Sequence, residues 1–411
     1  MPILKLHLEN IGPFDKLELD LSDGKGKAHL GPHILAGVNG SGKTTVLRAI
    51  AWCLAGYDKE SGFDHREWRA FLNGRKTSLA ELDVGGKLAI VATPTYSAQP
   101  TEGGALGCVA AYAPFQALRW LERPPTGIDE GPRKNWLSFR GSVSNEDVQA
   151  FWVSSFSRES LAKTKGQKNG RAAENVAGLR AAVSAILGSE NVPNVNIDGP
   201  FVQPVLQFLG NELNFSQLPA GFNATMGWVV DYLLRQTVFA WKTGQAATRP
   251  GIILIDEIET HLHPRWQRRV LNGIRAAFPN TQIIVTSHSP FVISSCPEAK
   301  VHLLKLDEKG KAYLDQSIDA PAGASITANI KDIFDVSSEF GPKVENELDS
   351  WNELKRKQAA RKLSSEETKR LKTLVKSLAE QGEELAFIVS DPPVLPESAM
   401  NELVAAVSKR R

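Results

Sequence analysis

Gly37-Val38-Asn39-Gly40-Ser41-Gly42-Lys43-Thr44 satisfies G-x-x-x-x-G-K-[ST] in full, directly after the apolar run Ile34-Leu35-Ala36. The segment behind it, Thr45 to Leu54, carries apolar residues at Val46, Leu47, Ile50, Ala51 and Leu54, which is helical spacing. Strand, glycine-rich turn and helix in that order make a phosphate cradle. The glycines let successive backbone N–H groups close around an anion, Lys43 reaches the β- and γ-phosphates, and the Thr44 hydroxyl suits Mg²⁺. The positive end of the helix dipole adds to the attraction. Asn39, Gly40, Ser41, Gly42, Lys43, Thr44 and Thr45 are therefore expected to bind the phosphates of ATP with its Mg²⁺.

Two apolar runs far downstream narrow the class. Gly251-Ile252-Ile253-Leu254-Ile255-Asp256-Glu257 reads as a buried strand ending in two acids, and Gln282-Ile283-Ile284-Val285-Thr286-Ser287-His288 as a second strand ending in a histidine. In a parallel sheet both ends would face the P-loop side, where such folds bind ligands. Asp256 is then expected to hold Mg²⁺, directly or through water, and Glu257 to polarise the attacking water. His288 is expected beside the γ-phosphate as a hydrogen-bond donor. Alone, each would read as a solvated strand end or a structural histidine, and the P-loop gives them a common role.

The run Asp256-Glu257-Ile258-Glu259-Thr260-His261-Leu262-His263-Pro264-Arg265-Trp266-Gln267, with Thr286-Ser287-His288-Ser289-Pro290, resembles the ABC-type ATPases of the RecF, SMC and OLD group. The opening Ile3 to Phe14 is similar to that group's first strand and its N-x-x-x-F turn. The resemblance implies an α/β head with a mixed, mainly parallel sheet and an N-terminal antiparallel portion. It also implies that a signature segment from a second protomer completes each ATP site. Leu218-Pro219-Ala220-Gly221-Phe222 aligns with L-S-G-G-Q and departs at the serine, the first glycine and the glutamine. What remains is Gly221 and the start of a helix whose stripe is Val229, Val230, Leu233 and Leu234, so N–H groups near Ala220 and Gly221 could face an anion. Gln116, at the end of Cys108 to Phe115, is similar in position to the glutamine loop that senses Mg²⁺ and water. The D-loop aspartate of ABC proteins aligns with His263.

Composition is that of an ordinary globular chain: 411 residues, 42% apolar, 48 basic against 46 acidic side chains. Cys53, Cys108 and Cys296 stand far apart without a C-x-x-C, which suits a reducing cytoplasm and suggests neither zinc nor disulfides. No run approaches the roughly eighteen apolar residues of a membrane span, and no basic-then-apolar leader opens the chain.

Four regions are expected: a head portion with the P-loop over 1–123, a helical lobe over 124–216, a second head portion over 217–318 carrying signature, acid pair and histidine, and a C-terminal helical region over 319–411. Ser78 to Thr93 alternates like a hairpin or sheet edge. The absence of sustained heptads between the two ATPase motifs argues against the long arms of SMC proteins. Lys163, Lys165, Lys168 and Arg171 form a basic stretch that reads either as a phosphate contact for DNA or as a solvated loop. Val344, Leu348, Trp351 and Leu354 make one helical face, Leu371, Leu374, Val375 and Leu378 another, and Ser364-Ser365-Glu366-Glu367 a capping box between them. That hairpin packs on its own head or docks a partner. A further amphipathic helix is expected from Glu397 to Arg410.

The resemblance implies a homodimer glued by ATP. For a chain of this size without a nuclease domain of its own, it points to bacterial anti-phage systems such as Septu and the retron ATPases, in which a separate nuclease or toxin is the effector. A RecF-like DNA-binding repair factor acting without an effector is the alternative.

Overall fold

The structure is a computed structural model that describes residues 2–29, 31–55, 68, 72, 77–84, 89–92, 108–113, 143–166, 170–198, 201–208, 210–243, 251–321, 333–334 and 340–390. Gln116, most of the region between β6 (Cys108–Tyr112) and residue 143, Lys168 and the segment 397–410 lie outside the described residues.

Alternation builds the first layer. In β1 (Lys5–Ile11) and β2 (Phe14–Asp20), Leu6 lies opposite Leu19, Leu8 opposite Leu17 and Ile11 opposite Phe14, and these six apolar side chains are buried. With β4 (Leu79–Asp83) and β5 (Ala89–Ala92) they form an antiparallel sheet of order β2-β1-β4-β5.

Unbroken apolar runs build the second. β3 (His33–Gly37), β6 and β10 (Gly251–Ile255) are buried along their whole length, as strands covered on both faces must be. They join β11 (Thr281–Ser287), β12 (Lys300–Leu306) and β13 (Ala312–Asp319) in the order β13-β12-β3-β11-β10-β6. Every neighbouring pair is parallel except β12 with β13, which gives the mixed, mainly parallel sheet expected from the sequence.

The pleat sends alternate side chains of this sheet into two cores. Leu35, Leu254 and Ile284 pack with α1 (Lys43–Ala55) and the antiparallel sheet. Ile34, Ala36, Ile253 and Ile255 face a helical layer: α2 (Asn145–Thr164), α3 (Arg171–Leu187), α4 (Ala220–Thr243) and α5 (Pro264–Ala277). The P-loop at the end of β3 is thus anchored from both sides.

The helical lobe differs from its reading as helices with polar breaks. β7 (Val192–Asp198), β8 (Phe201–Phe208) and β9 (Asn211–Leu213) form a three-stranded antiparallel sheet within it. Val192-Pro193-Asn194-Val195-Asn196-Ile197-Asp198 has a period of two, and its proline disfavours a helix interior. Trp152 Nε1 donates to Asn194 O at 2.7 Å, tying this sheet to α2.

A buried polar group links α4 to the central sheet. Asp231 accepts from the Tyr112 hydroxyl at 2.8 Å and from Arg235 Nε at 2.5 Å, with both charged residues at least 95% buried. Burial weakens the Arg235 guanidinium, but the Asp231 carboxylate overrides this and raises its pKa.

The chain divides into two compact units, Met1–Phe334 and Asp335–Arg411. The first also holds a short α6 (Pro290–Ile293) after β11, and the second holds α7 (Pro342–Ala360), α8 (Ser365–Ala379) and α9 (Glu383–Val389). The capping box forms as expected: Ser364 Oγ accepts from Glu367 N at 3.2 Å, and Glu367 Oε2 accepts from Ser364 N at 2.9 Å. Leu378, Leu385 and Val389 make a small core with Phe340, Val344, Leu348, Trp351 and Val375. Among the described residues, no helix is long and apolar enough to cross a membrane.

Removing one member of a buried ion pair leaves an uncompensated charge, which costs about 3–5 kcal/mol. Arg235→Leu is expected to lower the urea midpoint of the first unit accordingly, and Asp231→Leu with Arg235→Leu to recover most of the loss. An unchanged midpoint in Arg235→Leu would remove the pair from the account of α4 docking.

Candidate active site

The P-loop turns through left-handed backbone at Gly40 (φ 82°) and Gly42 (φ 87°). A Cβ on Gly42 would lie 2.5 Å from the ring of Phe14, the fully buried aromatic of the β1–β2 turn. Close packing therefore requires that glycine. Among the described residues, by contrast, nothing lies within 4 Å of a Cβ placed on Gly40. Ser41 Oγ is buried without a hydrogen-bond partner, and Thr45 is buried at the helix start.

Lys43 donates to Gly37 O at 3.0 Å and Val38 O at 2.8 Å, folding its ammonium over the loop. Burial pushes its pKa down to about 8, against the pull of Asp256, Glu257 and Glu259. The hydroxyl of Thr44 lies 3.0 and 2.9 Å from the two carboxylate oxygens of Asp256, so its hydrogen is committed there and its lone pairs stay available to a cation. That bond closes a sequence gap of 212 residues.

β10 and β11 end side by side, with Ile255 opposite Val285. Asp256 is buried, which raises its pKa, while hydrogen bonds from Thr286 and Thr44 pull it down. Glu257 sits in left-handed backbone (φ 48°), unusual for a non-glycine residue, and its Oε2 accepts from Thr260 Oγ1 at 3.2 Å. His288 follows β11, half-buried. Burial and the Lys43 charge lower its pKa, with Glu257 opposing, so its imidazole is held neutral. Lys43, Thr44, Asp256, Glu257 and His288 are therefore brought to one place, as the strand-end reading required.

Ala220 is the exposed first residue of α4, whereas Gly221 is buried against its own chain. A Cβ on Gly221 would lie 2.2 Å from His261 O, and His261 itself adopts φ 61°. The adjacent Phe222 ring meets Trp266 edge to face at 4.0 Å and Phe208 at 4.8 Å. α4, the helix expected to carry the signature, thus starts on the segment that follows the acid pair. His263, aligned with the D-loop aspartate, caps α5 by accepting from Arg265 N at 3.3 Å.

Three residues went unassigned in the sequence. The Glu259 carboxylate accepts the backbone N–H of His288, and burial raises its pKa. Gln267 donates to Leu262 O at 2.7 Å and accepts from Ser289 Oγ at 2.6 Å. Thr286 bonds to Asp256 and Glu257. Each stands in a quoted motif, but a hydrogen bond between two segments leaves no mark in spacing.

A glycine mouth, a lysine, a threonine hydroxyl and a buried carboxylate suit a triphosphate with Mg²⁺, a hard cation that takes oxygen ligands. The first unit has the form of a P-loop ATPase head. Sequence comparison agrees: an "AAA domain" family model matches residues 5–95, and one described as "AAA domain, putative AbiEii toxin, Type IV TA system" matches residues 233–294. The chain carries AAA-family ATPase sequence on both sides of the site. It is 22% identical over 346 residues to the Septu protein PtuA of Bacillus thuringiensis, covering 76% of this chain and 78% of that one. It is 36% identical over 100 residues to the Retron Ec83 probable ATPase of Escherichia coli, a match of 24% of this chain and 18% of that relative's length. Among solved structures, an SMC head bound to the C-terminal winged-helix domain of ScpA aligns over 78% of this chain and 98% of its own at 14% identity, with a TM-score of 0.44.

The lowered Lys43 pKa sets a pH dependence with a definite sign. Without ligand the ammonium deprotonates above about pH 8, whereas phosphate oxygens favour its charged form, so ATP binding must take up a proton there. ATP affinity is expected to be flat near neutrality and to fall about tenfold per pH unit above about pH 8. Calorimetry in buffers of different ionisation enthalpy would register the proton; affinity independent of pH would contradict the placement of Lys43 against phosphate.

Proposed function

We propose that this chain is an ATP-hydrolysing ABC-type ATPase that closes head to head on ATP and controls a partner effector, a nuclease or toxin, in bacterial anti-phage defence. The observation that carries the enzymatic part is the Thr44–Asp256 hydrogen bond, which joins the P-loop to the acid pair. The defence assignment is supported by the similarity to PtuA across most of both chains and by the retron match.

Lys43 and the loop N–H groups of Asn39 to Thr45 bind the triphosphate, and Thr44 with Asp256 would hold Mg²⁺, which when bound neutralises charge on the β- and γ-phosphates. Glu257, aimed by its left-handed backbone and by Thr260, takes the proton of the attacking water. Neutral His288 donates to a γ-phosphate oxygen and so reports whether that group is present. In the sandwich, the exposed first residue of α4, Ala220, supplies the second head's contact to the phosphate. Hydrolysis removes the shared group, and the heads separate.

Glu257→Gln is expected to keep ATP binding, to lose turnover by about 10²-fold or more, and to accumulate as closed pairs with ATP. Light scattering should then show twice the chain mass with ATP and the single mass with ADP, while Lys43→Ala stays unpaired. Single chains at saturating ATP, or near-normal turnover in Glu257→Gln, would contradict the reading.

A further inference from the structure

Beyond its pairing with β3 in the sheet, Thr286 makes three hydrogen bonds to the turn that carries the acid pair. Its hydroxyl donates to Asp256 Oδ1 at 2.7 Å and accepts the backbone N–H of Glu257 at 2.7 Å, and its carbonyl accepts from Ile258 N at 3.2 Å. The side chain is fully buried. The Asp256 carboxylate therefore sits between two threonine hydroxyls, Thr44 from the P-loop helix and Thr286 from β11.

Each bond constrains something the chemistry needs. A carboxylate on a strand end can rotate about its last torsion, and a fixed donor on Oδ1 removes that freedom. Glu257 holds a left-handed backbone conformation that an L-residue rarely adopts, and it persists only where neighbours hold it. The bond from Glu257 N to the Thr286 hydroxyl is such a hold. β-Branching adds to it, because threonine on a strand has few χ1 options and presents its hydroxyl in one direction.

We propose that Thr286 is the positioning residue of this site: its hydroxyl sets the aim of the Asp256 carboxylate toward the cation and of the Glu257 side chain toward the attacking water. This rests on the reading of Asp256 and Glu257 as the cation-holding and water-activating acids. Thr286 is fully buried and acts through the two acids. It stands two residues before His288, which follows the end of the same strand, so β11 supports both the histidine and the bonds to the two acids.

The test compares full-length Thr286→Val, which keeps the shape and removes the hydroxyl, with Thr286→Ser, which keeps the hydroxyl. Two quantities are read: ATP turnover, and the Mg²⁺ dependence of fluorescent ATP-analogue binding, with the same binding in EDTA as reference. Thr286→Val is expected to lose turnover about 30-fold and to need about tenfold more Mg²⁺, with binding in EDTA unchanged, while Thr286→Ser stays within about threefold of the parent in both. Val within about twofold of the parent, or Ser as impaired as Val, would overturn the proposal. Should Thr286→Val not fold, Thr286→Ala, which only deletes atoms, is held to the same thresholds; if neither folds, the residue is structural and the proposal fails. Glu257→Gln run in the same assay separates the two failures. Normal turnover there removes the reading of the acids, whereas a slow Glu257→Gln beside a normal Thr286→Val removes only the role of Thr286.

Discussion

Everything in the first unit converges on where the Asp256 carboxylate is held. It is a buried acid whose pKa burial raises, and the hydroxyls of Thr44 and Thr286 act against that by donating to its charged form. Those two hydroxyls come from different parts of the sheet, one from the helix after β3 and one from β11, with β10 supplying the acid. The order β3-β11-β10 in the sheet is therefore the arrangement that brings all three together. The apolar runs of these strands matter to function because the two-sided core makes their ends immobile with respect to one another.

A second consequence concerns the signature helix. Its first residues rest on the turn after the acid pair, through the Gly221–His261 approach and the Phe222–Trp266 contact. Gln267 then joins that turn to Ser289, one residue beyond His288. The surface expected to touch a second head and the residues expected to sense the γ-phosphate thus share one hydrogen-bonded and packed block within a chain. A shift at one has few ways to avoid moving the other, which suits the change of pairing proposed above.

Much of this was legible in the sequence, and the unread part has a physical reason. The P-loop, the acid pair and His288 are local patterns at strand ends, and the parallel strands were recognisable from Ile252 to Ile255 and from Ile283 to Val285 because strands covered on both faces lose alternation. The capping box at Ser364 and Glu367 was visible because both partners lie within one turn. The sheet β7-β8-β9 is harder to read because β7 is largely exposed and rich in Asn, so its alternation resembles a polar break between helices. Thr286, Glu259 and Gln267 were missed because their partners are set by strand order and by a turn, neither of which has a spacing. Gly221 was legible as a signature glycine, but its close approach to His261 is a tertiary fact, and it makes Ala220 the position where a substitution can probe the surface without disturbing the fold.

The most direct measurement of the two-headed account mixes two inactive chains. Lys43→Ala disables the P-loop of its own head, and Ala220→Asp places a negative charge where a partner's phosphate would sit, at an exposed helix start that tolerates it. If each site takes its P-loop from one chain and its signature from the other, a pair of the two variants contains one site in which both parts are intact. ATP turnover is expected to be absent from each variant alone and to reappear on mixing, in proportion to the mixed pairs formed. Turnover by Ala220→Asp alone at the parent's rate, or a mixture as inactive as its components while mixed pairs are seen by mass, would contradict a site shared between two heads.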